Sequence, residues 1–173
     1  GESVIDEAFM TTQHRHATPE EVRVIYNEKT ELFHHLGDAR PIAGVAEVLR
    51  YVQAQGYQIW IVTGSAQQSL FDKLETYFPN VFTRERMIAA WDVKRGKPDP
   101  EPYLKAWERS GLPKEECAVV ENAPMGVQSG KAAGLTVYAV NTGILTRDDL
   151  QQAGADRVFD NMRQLLDYLQ NNH

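Results

Sequence analysis

The chain has 173 residues, 42% of them hydrophobic, which is enough for one substantial core and a small appendage. Its formal charge of −6 leaves no broad basic surface for a phosphate backbone, so nucleic acid is not an expected partner. One cysteine can close no internal disulfide and no apolar run reaches membrane length, so a reducing cytoplasm, away from membranes, is expected, and the chain is expected to be a monomer.

Residues 4–16 carry Val4, Ile5, Ala8 and Phe9 at helical spacing. A second helix starts at Thr18, where Pro19 suits the first turn and Glu21 completes a capping box, and its stripe runs through Val22, Ile25, Leu32, Phe33 and Leu36 to Gly37. Gly37–Pro41 is a turn-rich joint and the expected domain boundary, which separates residues 1–39 from residues 40–173.

Beyond the joint, strands and helices alternate. Val45, Val48, Leu49 and Val52 predict a helix closed by Gly56. Tyr57–Val62 is apolar on both faces, like a strand buried in a parallel sheet. A helix through Leu70, Phe71, Leu74 and Phe78 follows, then a short strand at Met87–Ala90. After loop 91–99, a helix capped by Asp99 with Pro100 in its first turn carries Tyr103, Leu104 and Trp107 as its apolar stripe and ends near Gly111. Cys117–Val120 reads as a buried strand, with Cys117 in the core. The helix after it has a small face at Val127, Gly130 and Ala133. The pattern closes with a strand at Thr136–Val140, a helix near Arg147–Ala153, a strand at Arg157–Phe159 and a helix through Met162, Leu165, Leu166 and Leu169. The expected fold is α/β, a Rossmann-like parallel sheet with helices on both faces.

Three short motifs carry chemistry. Thr63, Gly64 and Ser65 lie between a strand and a helix, where a hydroxyl, a close backbone approach and a helix N-terminus suit phosphate, although the same residues also serve plain capping. Lys97, in KRGKPDPEPY, is a loop lysine able to bring a point charge to phosphate, or simply a solvated side chain. Glu121 and Asn122 sit at the carboxyl end of a strand, where a carboxylate and an amide could hold Mg²⁺ or merely begin the next helix. The five histidines, His14, His16, His34, His35 and His173, show no metal-ligand spacing.

The order strand–Thr–Gly–Ser, then GKPDPEPY, then strand–Glu–Asn–x–Pro–x–Gly resembles the haloacid-dehalogenase superfamily, in its branch of β-phosphoglucomutase-like and phosphoglycolate-phosphatase-like enzymes. The resemblance covers nearly all of residues 40–160. It implies that Thr63, with Gly64 and Ser65, binds the transferring phosphoryl group. Lys97 neutralises that group and orients a nucleophile, and Glu121 and Asn122 belong to a Mg²⁺ site. It also makes residues 1–39 part of a helical cap. The implied function is a Mg²⁺-dependent phosphatase acting through an aspartyl-phosphate on a small phosphorylated metabolite, first of all a sugar phosphate. Phosphomutase-type isomerisation and non-catalytic phosphate binding are the alternatives.

Two departures from the family pattern stand out. Asn122 occupies a position where the family has Asp, so weaker Mg²⁺ binding is expected. The family's DxDG motif, which carries the Asp nucleophile, is absent from these residues, and in the family its strand lies between the one ending at Thr63 and the one ending at Glu121. The 173 residues are therefore expected to be the larger part of a longer polypeptide, inactive alone.

Overall fold

The computed structural model describes residues 2–35, 40–65 and 69–172. Gly1–Arg40 and Pro41–His173 form two compact units. Most of the joint Gly37–Pro41 lies outside the described residues, as do Leu36 and His173.

In the first unit, α1 (Glu2–Gln13) packs against α2 (Pro19–His35), with Ile5 buried. The helix expected over 4–16 stops at Gln13 because His14 turns left-handed, φ 54°, a conformation that ends helices. Asp6 then accepts hydrogen bonds from the Ala17 N–H and from His16 Nδ1, each at 2.8 Å, and holds the link between the helices. The capping box forms: the Glu21 N–H donates to Thr18 Oγ1 at 3.3 Å, and the Thr18 N–H to Glu21 Oε2 at 2.8 Å. Leu32, expected in the buried stripe, is exposed, because two helices alone have little surface with which to cover one another.

Arg15 also grips Glu21 through both terminal guanidinium nitrogens, at 2.9 and 2.6 Å. These hydrogen bonds, followed by the one from the Thr18 backbone, pull the Glu21 carboxyl from 4.5 down to about 2. A carboxyl depressed by folding stabilises the folded form above its unfolded value and loses that contribution as pH falls through the folded value. Helix pairing should therefore gain from Glu21 at neutral pH and lose that support as pH drops from 4.5 toward about 2. A carboxyl-carbon NMR titration of Glu21 should show a midpoint near the lower figure, and a midpoint at 4.5 would contradict the clamp.

The second unit follows the alternating order α3 (Val45–Ala54), β1 (Ile61–Val62), α4 (Ser69–Tyr77), β2 (Met87–Ile88), α5 (Glu101–Ser110), β3 (Ala118–Glu121), α6 (Pro124–Ala132), β4 (Thr136–Val140), α7 (Arg147–Gln152), β5 (Arg157–Phe159) and α8 (Met162–Asn171). All pairs are parallel. β1 pairs with β2 in the register Ile61↔Met87, and β3, β4 and β5 form a second sheet with Val119↔Val137 and Ala139↔Val158. Alternation along β4 splits the core. Val137 and Ala139 face a cluster with Tyr103 of α5, Val127 of α6 and Leu150 of α7, while Val140 faces Val48 of α3 and Leu165 and Leu166 of α8. Helices thus cover both faces of the three-stranded sheet.

Gly130 lets α6 lie close on that sheet, since a Cβ there would come within 2.7 Å of Val137 Cγ2. Cys117 is half-buried against the first cluster and not inside it.

The strand expected over Tyr57–Val62 is reduced to two paired residues, and the one over Met87–Ala90 likewise to two. A ladder needs partners: past Ile88 the Ala89 N–H goes to the Asp92 carboxylate, at 2.8 Å, and among the described residues β1 has no neighbour on its other side. Among the described residues β3 too is paired only with β4. Its expected burial is correspondingly incomplete, for Val119 is buried whereas Val120, on the opposite face, is 48% exposed. No described helix is long and apolar enough to cross a membrane.

Candidate functional site

Strands β1 and β3 share no ladder, yet one side chain reaches the carboxyl ends of both. Lys97 Nζ donates to the Val62 carbonyl at the end of β1, at 3.0 Å, and forms a close ion pair with Glu121 Oε1 at the end of β3. Its third partner is the Tyr103 hydroxyl, at 3.0 Å. Both members of the ion pair are largely buried, with side chains 17% and 11% exposed. At that burial the charges are little screened, so loss of either partner would strand the other.

The loop that presents Lys97 is tied down on both flanks. The Glu101 carboxylate, at the start of α5, accepts the Lys94 and Arg95 N–H groups, each at 2.9 Å, and Asp99 Oδ1 accepts the Glu101 N–H at 2.9 Å. The Lys94 backbone hydrogen bond foremost holds the Glu101 carboxyl below its ordinary value. Ser129 of α6, fully buried, donates to the Asp99 carbonyl at 2.6 Å and joins the loop to the helix that follows β3.

Glu121 is equally constrained. Oε1 receives Lys97 and the Tyr103 hydroxyl, the latter at 2.6 Å, and Oε2 receives the Asn122 N–H at 3.0 Å. The carboxylate fits against α6 because Gly126 has no side chain: a Cβ there would lie 2.1 Å from Glu121 Cδ. Burial, then the Glu121 charge, pushes the Tyr103 hydroxyl far above its ordinary value, so it stays a proton donor.

Thr63 directly follows Val62, the carbonyl that Lys97 contacts. Its N–H donates to the Ile88 carbonyl at 2.9 Å and extends the β1–β2 ladder by one bond, and its Oγ1 accepts the Ser65 N–H at 3.1 Å. Gly64 is exposed at the crest of this turn. Asn122, next to Glu121, is exposed, and its amide nitrogen donates to Thr142 Oγ1 at 3.1 Å, just beyond β4. Lys97 and Glu121 are thus in direct contact, Asn122 adjoins Glu121, and the Thr63–Gly64–Ser65 turn begins one residue from the Lys97 contact.

Sequence reasoning gave no site role to Tyr103, Gly126, Ser129, Glu101 or Thr142. Gly126 stood within the Glu–Asn–x–Pro–x–Gly motif, which was the available signal for it. Tyr103 was legible only as an apolar stripe position.

Mg²⁺ takes about six oxygens and keeps several as water, so one or two carboxylates commonly anchor it. Here Glu121 Oε2 and the Asn122 amide oxygen are the nearest candidates, and the Glu121 charge is already matched by Lys97. Among the described residues no group of three or more His, Cys, Asp or Glu side chains is placed to hold a metal ion. These residues alone do not complete a Mg²⁺ site.

A surface groove of about 530 Å³ lies elsewhere, along β5, lined by Arg147, Gln151, Arg157, Gln164 and Asp167 among others. Its arginines are engaged: Arg147 bonds Asp160 and the Val158 carbonyl, and Arg157 stacks over the Tyr168 ring. Thr63, Lys97, Glu121 and Asn122 lie at the strand ends, outside this groove.

A lysine, a carboxylate and a hydroxyl meet at the carboxyl ends of parallel strands, the end of such a sheet at which ligands gather in α/β proteins. The chain belongs to the haloacid dehalogenase-like hydrolase family, whose model matches residues 2–140. It is 31% identical over 137 residues to the phosphorylated carbohydrates phosphatase of Thermotoga maritima, which covers 76% of this chain and 60% of that protein. It is 30% identical over 160 residues to the pyrophosphatase PpaX of Halalkalibacterium halodurans, covering 91% of this chain and 74% of that protein. A solved Bacteroides vulgatus structure, provisionally assigned as a β-phosphoglucomutase, superposes with a TM-score of 0.87 at 40% identity, covering 98% of this chain and 70% of that one.

Proposed function

We propose that this chain is the phosphate-handling part of a phosphatase that acts on a small phosphorylated metabolite, first of all a sugar phosphate. The observation that carries this reading is the Lys97 ammonium, anchored between the ends of β1 and β3 one residue from the Thr63–Gly64–Ser65 turn. In this reading the turn receives the phosphoryl oxygens through the Thr63 hydroxyl and backbone N–H groups, and Lys97 supplies positive charge where the departing phosphoryl group accumulates negative charge. Glu121 keeps Lys97 in place. The names of the relatives, a phosphorylated carbohydrates phosphatase and a pyrophosphatase, support the substrate class.

The chemical step needs a carboxylate nucleophile that attacks phosphorus while the ester oxygen leaves with a proton; water then hydrolyses the acyl phosphate. We assign that carboxylate to a further extended segment that pairs with the open edges of β1 and β3, and the helical unit at residues 1–39 to part of a cap. Mg²⁺, bound with help from Asn122 and acids on the same segment, would supply Lewis-acid stabilisation of the phosphoryl oxygens. The likeness to a provisionally assigned β-phosphoglucomutase favours one second reading, transfer of the phosphate to another hydroxyl of the sugar.

The test joins a strand carrying Asp-x-Asp-Gly to the N-terminus and measures products from a panel of sugar phosphates with Mg²⁺. Release of inorganic phosphate is expected. Isomerised sugar phosphate without release would favour the mutase reading, and no turnover on any member would contradict both.

A further inference from the structure

Tyr103 occupies the first turn of α5, and its ring sits in the core, 6% exposed, against Val119 and Val127. A phenylalanine would fill that space equally well. The hydroxyl has a different environment: it donates to Glu121 Oε1 at 2.6 Å and accepts from Lys97 Nζ at 3.0 Å. The Lys97 ammonium also lies 4.7 Å from the centroid of the same ring, within cation–π range.

An ammonium group has three N–H donors, and Lys97 has three acceptors around it: the Val62 carbonyl, Glu121 Oε1 and the Tyr103 hydroxyl. The first two belong to strands of separate sheets, and the third comes from a helix. A four-carbon stem held by two contacts still pivots about the line joining them. A third contact off that line removes the pivot. We propose that Tyr103 is a positioning residue: its hydroxyl turns the Glu121 carboxylate toward Lys97 and fixes the ammonium between the ends of β1 and β3. As a device for presenting charge to phosphate, this rests on the function proposed above.

The test reads the Lys97 ammonium by side-chain ¹⁵N–¹H NMR in the whole 173-residue chain, at low temperature and mildly acidic pH, where only lysines shielded from water give resolved signals. Lys97 should give such a signal. Tyr103→Phe, which keeps the ring, should speed exchange of its protons with water about tenfold, the factor corresponding to one ordinary hydrogen bond. Unchanged exchange in a folded Tyr103→Phe chain would overturn the proposal, because a purely packing role survives that change. Should the variant fail to fold, the wild-type chain decides: a nuclear Overhauser effect between the Tyr103 hydroxyl proton and the Lys97 ammonium is expected, and its absence would equally overturn the proposal. Inorganic phosphate separates the two readings. If Tyr103→Phe speeds exchange while phosphate leaves the Lys97 signal unmoved, the positioning role stands and the phosphate function fails.

Discussion

Replacing Lys97 with methionine is expected to destabilise the chain by about 3 kcal/mol, the lower end of what breaking a buried ion pair costs. The loss comes less from the missing attraction than from what remains. Glu121, with a side chain only 11% exposed, would be left with the Tyr103 hydroxyl and the Asn122 N–H as its remaining partners. For a chain of this length the loss corresponds to a fall of roughly 6–12 °C in melting temperature. Adding Glu121→Gln to Lys97→Met should recover most of it, since a neutral amide needs no counter-charge. Thermal denaturation of the two single variants and the double variant checks this, and a Lys97→Met chain as stable as wild type would show that the pair is a solvated contact only.

Gly126→Ala is expected to act on the site more than on the fold. A methyl group there would meet Glu121 Cδ at 2.1 Å and its two carboxylate oxygens at 2.2 and 2.4 Å, so the carboxylate must leave. Since the clash is with the far end of a flexible side chain, the backbone need not move, and alanine gains about 1 kcal/mol of helix propensity over glycine. Against this stands loss of charge-assisted hydrogen bonds from Lys97 and Tyr103, about 1.5–3 kcal/mol each. The net expectation is a loss of about 2–5 kcal/mol, together with release of Lys97 from its fixed position. Gly130→Ala is the control. Its methyl would press on Val137 Cγ2 at 2.7 Å, which strains the sheet contact without touching Glu121. A crystal structure or Lys97 side-chain NMR should show Lys97 displaced in the first variant and in place in the second, and the reverse would contradict the account.

Much of the fold was legible because periodicity and punctuation agreed. Gly56, Gly111 and Gly134 each follow a helix with positive φ, and the Thr18–Glu21 box forms as the spacing implied. Strand extent was less legible, since hydrophobicity reports the wish for burial and not the presence of a partner. Tyr57–Val62 and Val120 look like interior strand residues, yet β1 and β3 each pair on one side only among the described residues. Within the candidate site, the motifs singled out Thr63, Lys97 and Glu121 but not their wiring. Adjacent Glu121 and Asn122 suggested a shared metal; what the motif did not reveal is that Glu121 Oε1 meets Lys97 and Tyr103 while Oε2 meets the Asn122 N–H. That arrangement depends on the absence of a side chain at Gly126 and on a hydroxyl at the tip of a core tyrosine, neither of which has a periodic signature.

In the proposed function the Thr63–Gly64–Ser65 turn and the Lys97 ammonium serve one phosphoryl group. Titration of inorganic phosphate into the ¹⁵N-labelled chain tests it directly. The amides of Gly64 and Ser65 and the Lys97 side chain should shift together along one saturation curve, with an affinity on the order of millimolar. Shifts confined to Arg147 and Arg157 in the groove along β5, with Gly64 and Lys97 silent, would contradict it.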